Sequence, residues 1–193
     1  MSTKKLVLCG VCAAIICALA PLAIPLAGLV PITLATFAVM LAGILLGGRY
    51  GAMSVLIYLL LGAVGIPVFS GYSSGVGVLF GPTGGYLIGY IPLVFLTGAL
   101  YDRFGKKQTG FKKYAVMAAA MIAGTAVLYV FGTAWFCIVT GTGVIAALSM
   151  CVLPFLIGDA AKIAVVTLLS PQLEKALSKI PERAAEEKTK EKR

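Results

Sequence analysis

The sequence predicts an all-α membrane protein of six transmembrane helices. Three observations carry that reading: the shortage of charge, the places where the few charges fall, and the spacing of helix breakers. Of 193 residues, 60% are hydrophobic and 12% charged, and the mean hydropathy is +1.02. A soluble domain carries about 25% charged residues, so half the usual charge is left to coat a globule of this size. Arg49 is the only charge between residues 6 and 101, and Asp159 and Lys162 are the only two between 114 and 173. A bilayer core ~30 Å thick takes about 20 apolar residues per helix. The two stretches therefore hold four spans and two spans.

Breakers divide them into helices at 5–27, 31–48, 50–66, 83–101, 114–139 and 144–171. Pro21 and Pro25 bend or end the first, and the Gly28–Pro31 turn leads into the second. Gly47-Gly48-Arg49 is a tight turn before the third, and Gly141-Thr142-Gly143 divides the last pair. Segment 67–82 is too rich in Gly and Ser for a spanning helix. Lys4-Lys5, the apolar run and Ala18-Leu19-Ala20 also resemble a signal peptide. Pro21 is a poor residue after a cut, however, and removal would leave five spans, so a retained first helix is expected.

Alternating loops of six spans lie on one side, and fifteen of the sixteen Lys and Arg fall there: at the N-terminus, Arg49, 102–113 and the tail. The opposite loops carry none. The positive-inside rule then makes both termini cytoplasmic. The chain divides into a transmembrane domain, 1–173, and a charged cytoplasmic tail, 174–193. Its net charge of +9 is what a multi-spanning protein sets beside anionic headgroups, and no nucleic-acid partner is expected.

Composition also excludes chemistries. With no histidine, Ser-His-Asp and Cys-His catalysis and imidazole zinc sites are absent. Without a GxxxxGK[ST] the chain holds no ATP by a P-loop. The five cysteines all lie in apolar spans. Cys9-Gly-Val-Cys12 has no second pair, and small apolar filler is the expected role, with no metal site and no catalytic residue.

Three features remain. Asp159 and Lys162 share one helical face, roughly 13–18 Å above a cytoplasmic boundary at Pro171. Each such charge costs about 2.5–3.5 kcal/mol to insert. The pair is either an internal helix lock or the polar contact for a ligand. Pro154 and Gly158 stand where they can open the same helix's backbone. Gly71–Tyr86 is an uncharged, glycine-rich stretch, read as a lid over a largely apolar ligand or as a re-entrant connector. Phe69, Tyr72, Phe80 and Tyr86 offer rings there, and Ser73, Ser74 and Thr83 hydroxyls. Gly10, Ala14 and Ala18 form a small-residue stripe for internal packing or for a partner helix. Phe131, Trp135 and Phe136 fit the aromatic belt.

The stretches PITLATFAV (31–39), GIPVFSG (65–71), GPTGGYLIGY (81–90) and GDAAK (158–162) resemble the BioY family, the biotin-binding S component of energy-coupling factor vitamin transporters. The likeness runs from about 5 to 172, and GPTGGY with GDxxK is its most specific part. Ala35 departs from the glutamine expected there, so no contact from that side chain is carried over. The resemblance implies an S-component-like bundle in the bacterial or archaeal cell membrane that captures biotin outside. It implies Asp159 and Lys162 as polar pocket residues, toward either the ureido ring or the valerate carboxylate. Phe69, Tyr72, Gly81, Thr83, Gly84, Tyr86, Thr33 and Thr36 would cover the apolar part. It further implies that the Ala14 and Ala18 stripe, with Gly10, docks on the transmembrane subunit of a module carrying two ATPases. Biotin would be cargo, with no cofactor. An S component for another vitamin or metal ion would lack both motifs. An intramembrane transferase would need more buried polar residues than this pair.

Overall fold

The computed structural model describes residues 3–24 and 30–179. The expected Pro25 bend, the start of the Gly28–Pro31 turn and the tail from 180 lie outside them. Helix α1 (Thr3–Leu19) is followed by a short antiparallel pair, β1 (Ala23–Ile24) and β2 (Ile32–Thr33), in register Ala23↔Thr33. Then come α2 (Ala35–Ala63), α3 (Val76–Phe80), α4 (Gly84–Leu100), α5 (Phe111–Thr140), α6 (Val144–Cys151) and α7 (Leu153–Ser178). Among the described residues four stretches are long and apolar enough to cross a membrane: Ala35–Ala63, Gly84–Gly105, Phe111–Thr140 and Leu153–Ser178.

The expected Gly47 turn lies inside α2. Gly47 takes φ 78°, ψ 173°, a conformation that an L side chain rarely adopts. The chain reverses there, because a Cβ on Gly51 would stand 3.3 Å from Gly43 Cα. Arms 35–46 and 48–63 thus lie on either side of the turn expected at Gly47. The first helix is shorter than expected, ending at Leu19 where the chain turns into β1. The last expected helix is in fact two: Val152, at φ −124° and ψ −56°, breaks it two residues before Pro154. Gly158 stays helical, and α7 continues through Pro171 to Ser178, so Pro171 does not end the helix.

Glycine sets the closest packing. A Cβ on Gly98 would overlap the Gly48 backbone nitrogen, and one on Gly43 would stand 3.1 Å from the Val94 carbonyl. Both arms of α2 therefore lie directly against α4. On α1 the buried face is Cys9, Cys12, Ala13 and Ile16, spaced for one helical stripe.

Contacts bring the start of α1 and the end of α7 to one pole. Lys4 Nζ donates to the Leu177 carbonyl (2.8 Å), Lys5 lies 5.2 Å over the Tyr50 ring, and Lys113 Nζ meets Glu174 (2.6 Å). At the opposite pole Gly71 N–H donates to Pro21 O (3.1 Å) and Leu34 N–H to Leu22 O (3.3 Å).

Candidate functional site

Near that opposite pole the helices enclose a cavity of about 270 Å³. Its walls come from β2, both ends of the 67–83 loop, α2, α4, α5 and α7. Phe69, Tyr86, Leu87, Tyr90, Leu128 and Phe155 make most of it apolar, and Thr33, Thr36, Ser70, Ser73 and Thr83 place hydroxyls around it.

Asp159 and Lys162 project into it from one face of α7, their side chains 5% and 10% exposed. Lys162 Nζ donates to Asp159 Oδ1 (3.0 Å) and to Thr36 Oγ1 (2.8 Å). Thr36 in turn donates to Asp159 Oδ1 (3.3 Å), and the Tyr129 hydroxyl donates to Oδ2 (2.5 Å). An ammonium has three donors and a carboxylate about four acceptor sites. The network uses two and three of them. One N–H of Lys162 and one lone pair of Asp159 therefore stay unused. A buried pair fixed from both sides also avoids the penalty of leaving either charge alone.

The aromatic walls are held from behind. Phe69 is fully buried, its ring lying over Gly62, where a Cβ would collide with it, and edge-on to Tyr58 at 5.5 Å. Tyr86 occupies space left by Gly132, and its hydroxyl meets Thr133 (3.2 Å) and the Cys151 carbonyl (3.3 Å). Thr33 Oγ1 accepts the Ala35 N–H (3.2 Å) at the start of α2.

Of the anticipated ligand residues, Asp159, Lys162, Phe69, Thr83, Tyr86, Thr33 and Thr36 line this cavity. Three stand elsewhere. Tyr72, 65% exposed and with φ 60°, lines a separate depression with Pro21 and Leu34, because the short turn at Ser70–Tyr72 carries its ring outward. Gly81 gives its carbonyl to Trp135 Nε1 (2.9 Å). Gly84 is pressed against the Leu79 carbonyl and shapes the loop from outside. Phe80 is exposed and Phe136 fully buried, so Phe136 is core, not belt. Sequence reasoning missed Tyr129 and Tyr90, whose one available signal was a hydroxyl on an otherwise apolar helix.

Gly10, Ala14 and Ala18 all point outward on α1, and nothing lies within 4 Å of a Cβ on Gly10. Internal packing therefore does not account for the stripe. Among the described residues no cluster of His, Cys, Asp and Glu suits a metal ion.

Fold and site together define a class: a bundle of helices apolar enough to span a membrane, enclosing a small, largely apolar cavity with one buried charge pair in its wall. The BioY family model matches residues 1–179, and the chain belongs to that family. It is 42% identical over 190 residues to the biotin transporter BioY of Rhizobium etli, covering 95% of this chain and 100% of the relative. It is 41% identical over 176 residues to the biotin transporter BioY2 of Lactococcus lactis, covering 90% and 92%. Among solved structures it resembles the S-component for biotin from an ECF-type ABC transporter, at TM-score 0.80 and 29% identity, over 91% of this chain and 95% of that one.

Proposed function

We propose that this chain is the biotin-binding specificity subunit of an energy-coupling factor transporter, holding the vitamin as cargo and performing no chemistry on it. The observation that carries the reading is the polar end of the cavity, where buried Asp159 keeps one unused acceptor site and buried Lys162 one unused donor. Biotin's ureido ring has N–H donors beside a carbonyl and satisfies both at once. Its valerate carboxylate would satisfy Lys162 alone and set like charge against Asp159. Phe69, Tyr86, Tyr90 and Leu128 then receive the bicyclic ring.

The proposed topology is six spans with both termini cytoplasmic. It is supported by the reversal at Gly47, by α1 as a 17-residue apolar helix, and by Lys4, Lys113 and Glu174 meeting at one pole. The cavity then opens toward the outside. Capture there would precede docking of the Gly10, Ala14 and Ala18 stripe on a transmembrane coupling subunit, with ATP hydrolysed by separate subunits.

Equilibrium binding of labelled biotin to the purified protein tests this. A submicromolar Kd is expected, and Asp159→Asn or Lys162→Ala each weakens it at least tenfold, because removing one member of a buried pair costs about 3–5 kcal/mol. A Kd above micromolar overturns the function. Ala14→Leu is expected to leave binding intact and abolish energised uptake; normal uptake removes the docking assignment.

A further inference from the structure

A second cavity, of about 840 Å³, lies on the other side of the Asp159 wall, in a groove between α5 and α7. Phe111, Tyr114 and Ile122 line one side, and Leu156, Ile163 and Leu168 the other. Tyr129 and Asp159 line its upper part, a turn below Leu156, and their hydrogen bond (2.5 Å) also walls the ligand cavity. Along α7 the lining runs from Leu156 to Leu168, twelve residues or ~18 Å, about the depth of one leaflet of a ~30 Å core. The lining is almost entirely hydrocarbon, so water is a poor occupant.

Charge marks the lower end. Lys113 and Glu174 bridge the two helices across the mouth (2.6 Å). Lys112 is exposed next to Phe111, and Lys175 is exposed two turns beyond Leu168 on the same face of α7. Neither Lys112 nor Lys175 has an acidic partner among the described residues. Basic residues at the mouth of an apolar groove between membrane helices match an acidic lipid headgroup over its own chain.

We propose that this groove holds one acyl chain of an anionic phospholipid, with the phosphate at Lys112 and Lys175 and the chain tip against Tyr129 and Asp159. The lipid thereby forms the outer layer of the ligand cavity's back wall. Its assignment to the cytoplasmic leaflet rests on the topology proposed above; the groove assignment does not.

The test is native mass spectrometry of the detergent-purified full chain after washing and addition of dioleoyl phosphatidylglycerol or dioleoyl phosphatidylcholine. One phosphatidylglycerol per chain is expected, with at least a threefold preference over phosphatidylcholine. Lys112→Gln with Lys175→Gln should abolish the preference, and Ala164→Trp, which fills the groove, should remove the lipid. Labelled-biotin binding by Ala164→Trp reports that it is folded, and Ala126→Trp on the facing helix repeats the test if it is not. Equal retention of both lipids by the wild type, or undiminished retention in a folded filled-groove variant, overturns the proposal. So does a two-chain mass that the filling substitution returns to one, which would make the groove a contact between copies. Lipid retention by a chain that binds no biotin upholds the groove and overturns the function instead.

Discussion

The Gly84–Gly105 and Leu153–Ser178 spans make opposite use of similar hydrophobicity. In the first, 61% of the most apolar window is buried inside the protein; in the second, 28% is, although the second is the more hydrophobic. In a bilayer apolarity marks what touches lipid as well as what is core. Close packing is set by glycine. Helix α4 meets both arms of α2 backbone to backbone at Gly43, Gly48 and Gly98, whereas the one glycine of α7, Gly158, has open space around it. The charges that would hold the ligand therefore sit on a loosely packed helix, tied to a dense scaffold mainly through Thr36 and Tyr129.

The strongest way to break this contrast is Gly98→Val. Its side chain has to displace the Gly48 backbone, which has no flexible end to move. We expect destabilisation of about 3 kcal/mol or more, read as a lower midpoint of unfolding in detergent. Wild-type stability would show that the α2–α4 contact is not the rigid part of the molecule.

Next in size are the ties themselves. Thr36→Val removes one acceptor for Lys162 and one donor to Asp159, and with them the polar link from α2 to the pair. Tyr129→Phe removes one donor to Asp159. At about 1.5–3 kcal/mol for hydrogen bonds to charged groups, biotin affinity should fall at least tenfold in each, Thr36→Val more than Tyr129→Phe. The unfolding midpoint should hardly move, since neither change opens the α2–α4 contact. Equal affinities would mean that Asp159 and Lys162 hold their positions unaided.

These residues differ in how far the sequence exposes them. Asp159 and Lys162 stand out because a charge in sixty apolar residues needs a reason, and Gly47 because a glycine pair before Arg49 interrupts two long apolar runs. Tyr129 does not stand out: its role exists only once α5 and α7 are brought together. The same blindness covers α1, where the buried face and the outward stripe are both small and apolar, so no pattern separates Cys12 from Ala14. The break at Val152 is marked only by Pro154 in the first turn of α7, a residue that bends a helix as readily as it starts one. Within the 67–83 loop, Phe69 and Tyr72 are equally plausible rings; a positive φ at Gly71 and Tyr72 sends one inward and the other out.

The smallest expected effect is the most discriminating about the loose helix. Gly158 adjoins Asp159, yet nothing lies within 4 Å of a Cβ built there, and its backbone is helical. Gly158→Ala should leave biotin affinity unchanged within twofold. It should raise stability by up to about 1 kcal/mol, the helix propensity regained when alanine replaces glycine. A fall in affinity would mean that the glycine serves the site by letting backbone or ligand approach it closely. A fall in uptake with affinity and stability intact would mean that this face of α7 meets another subunit, so that the helix is loose only until its partner covers it.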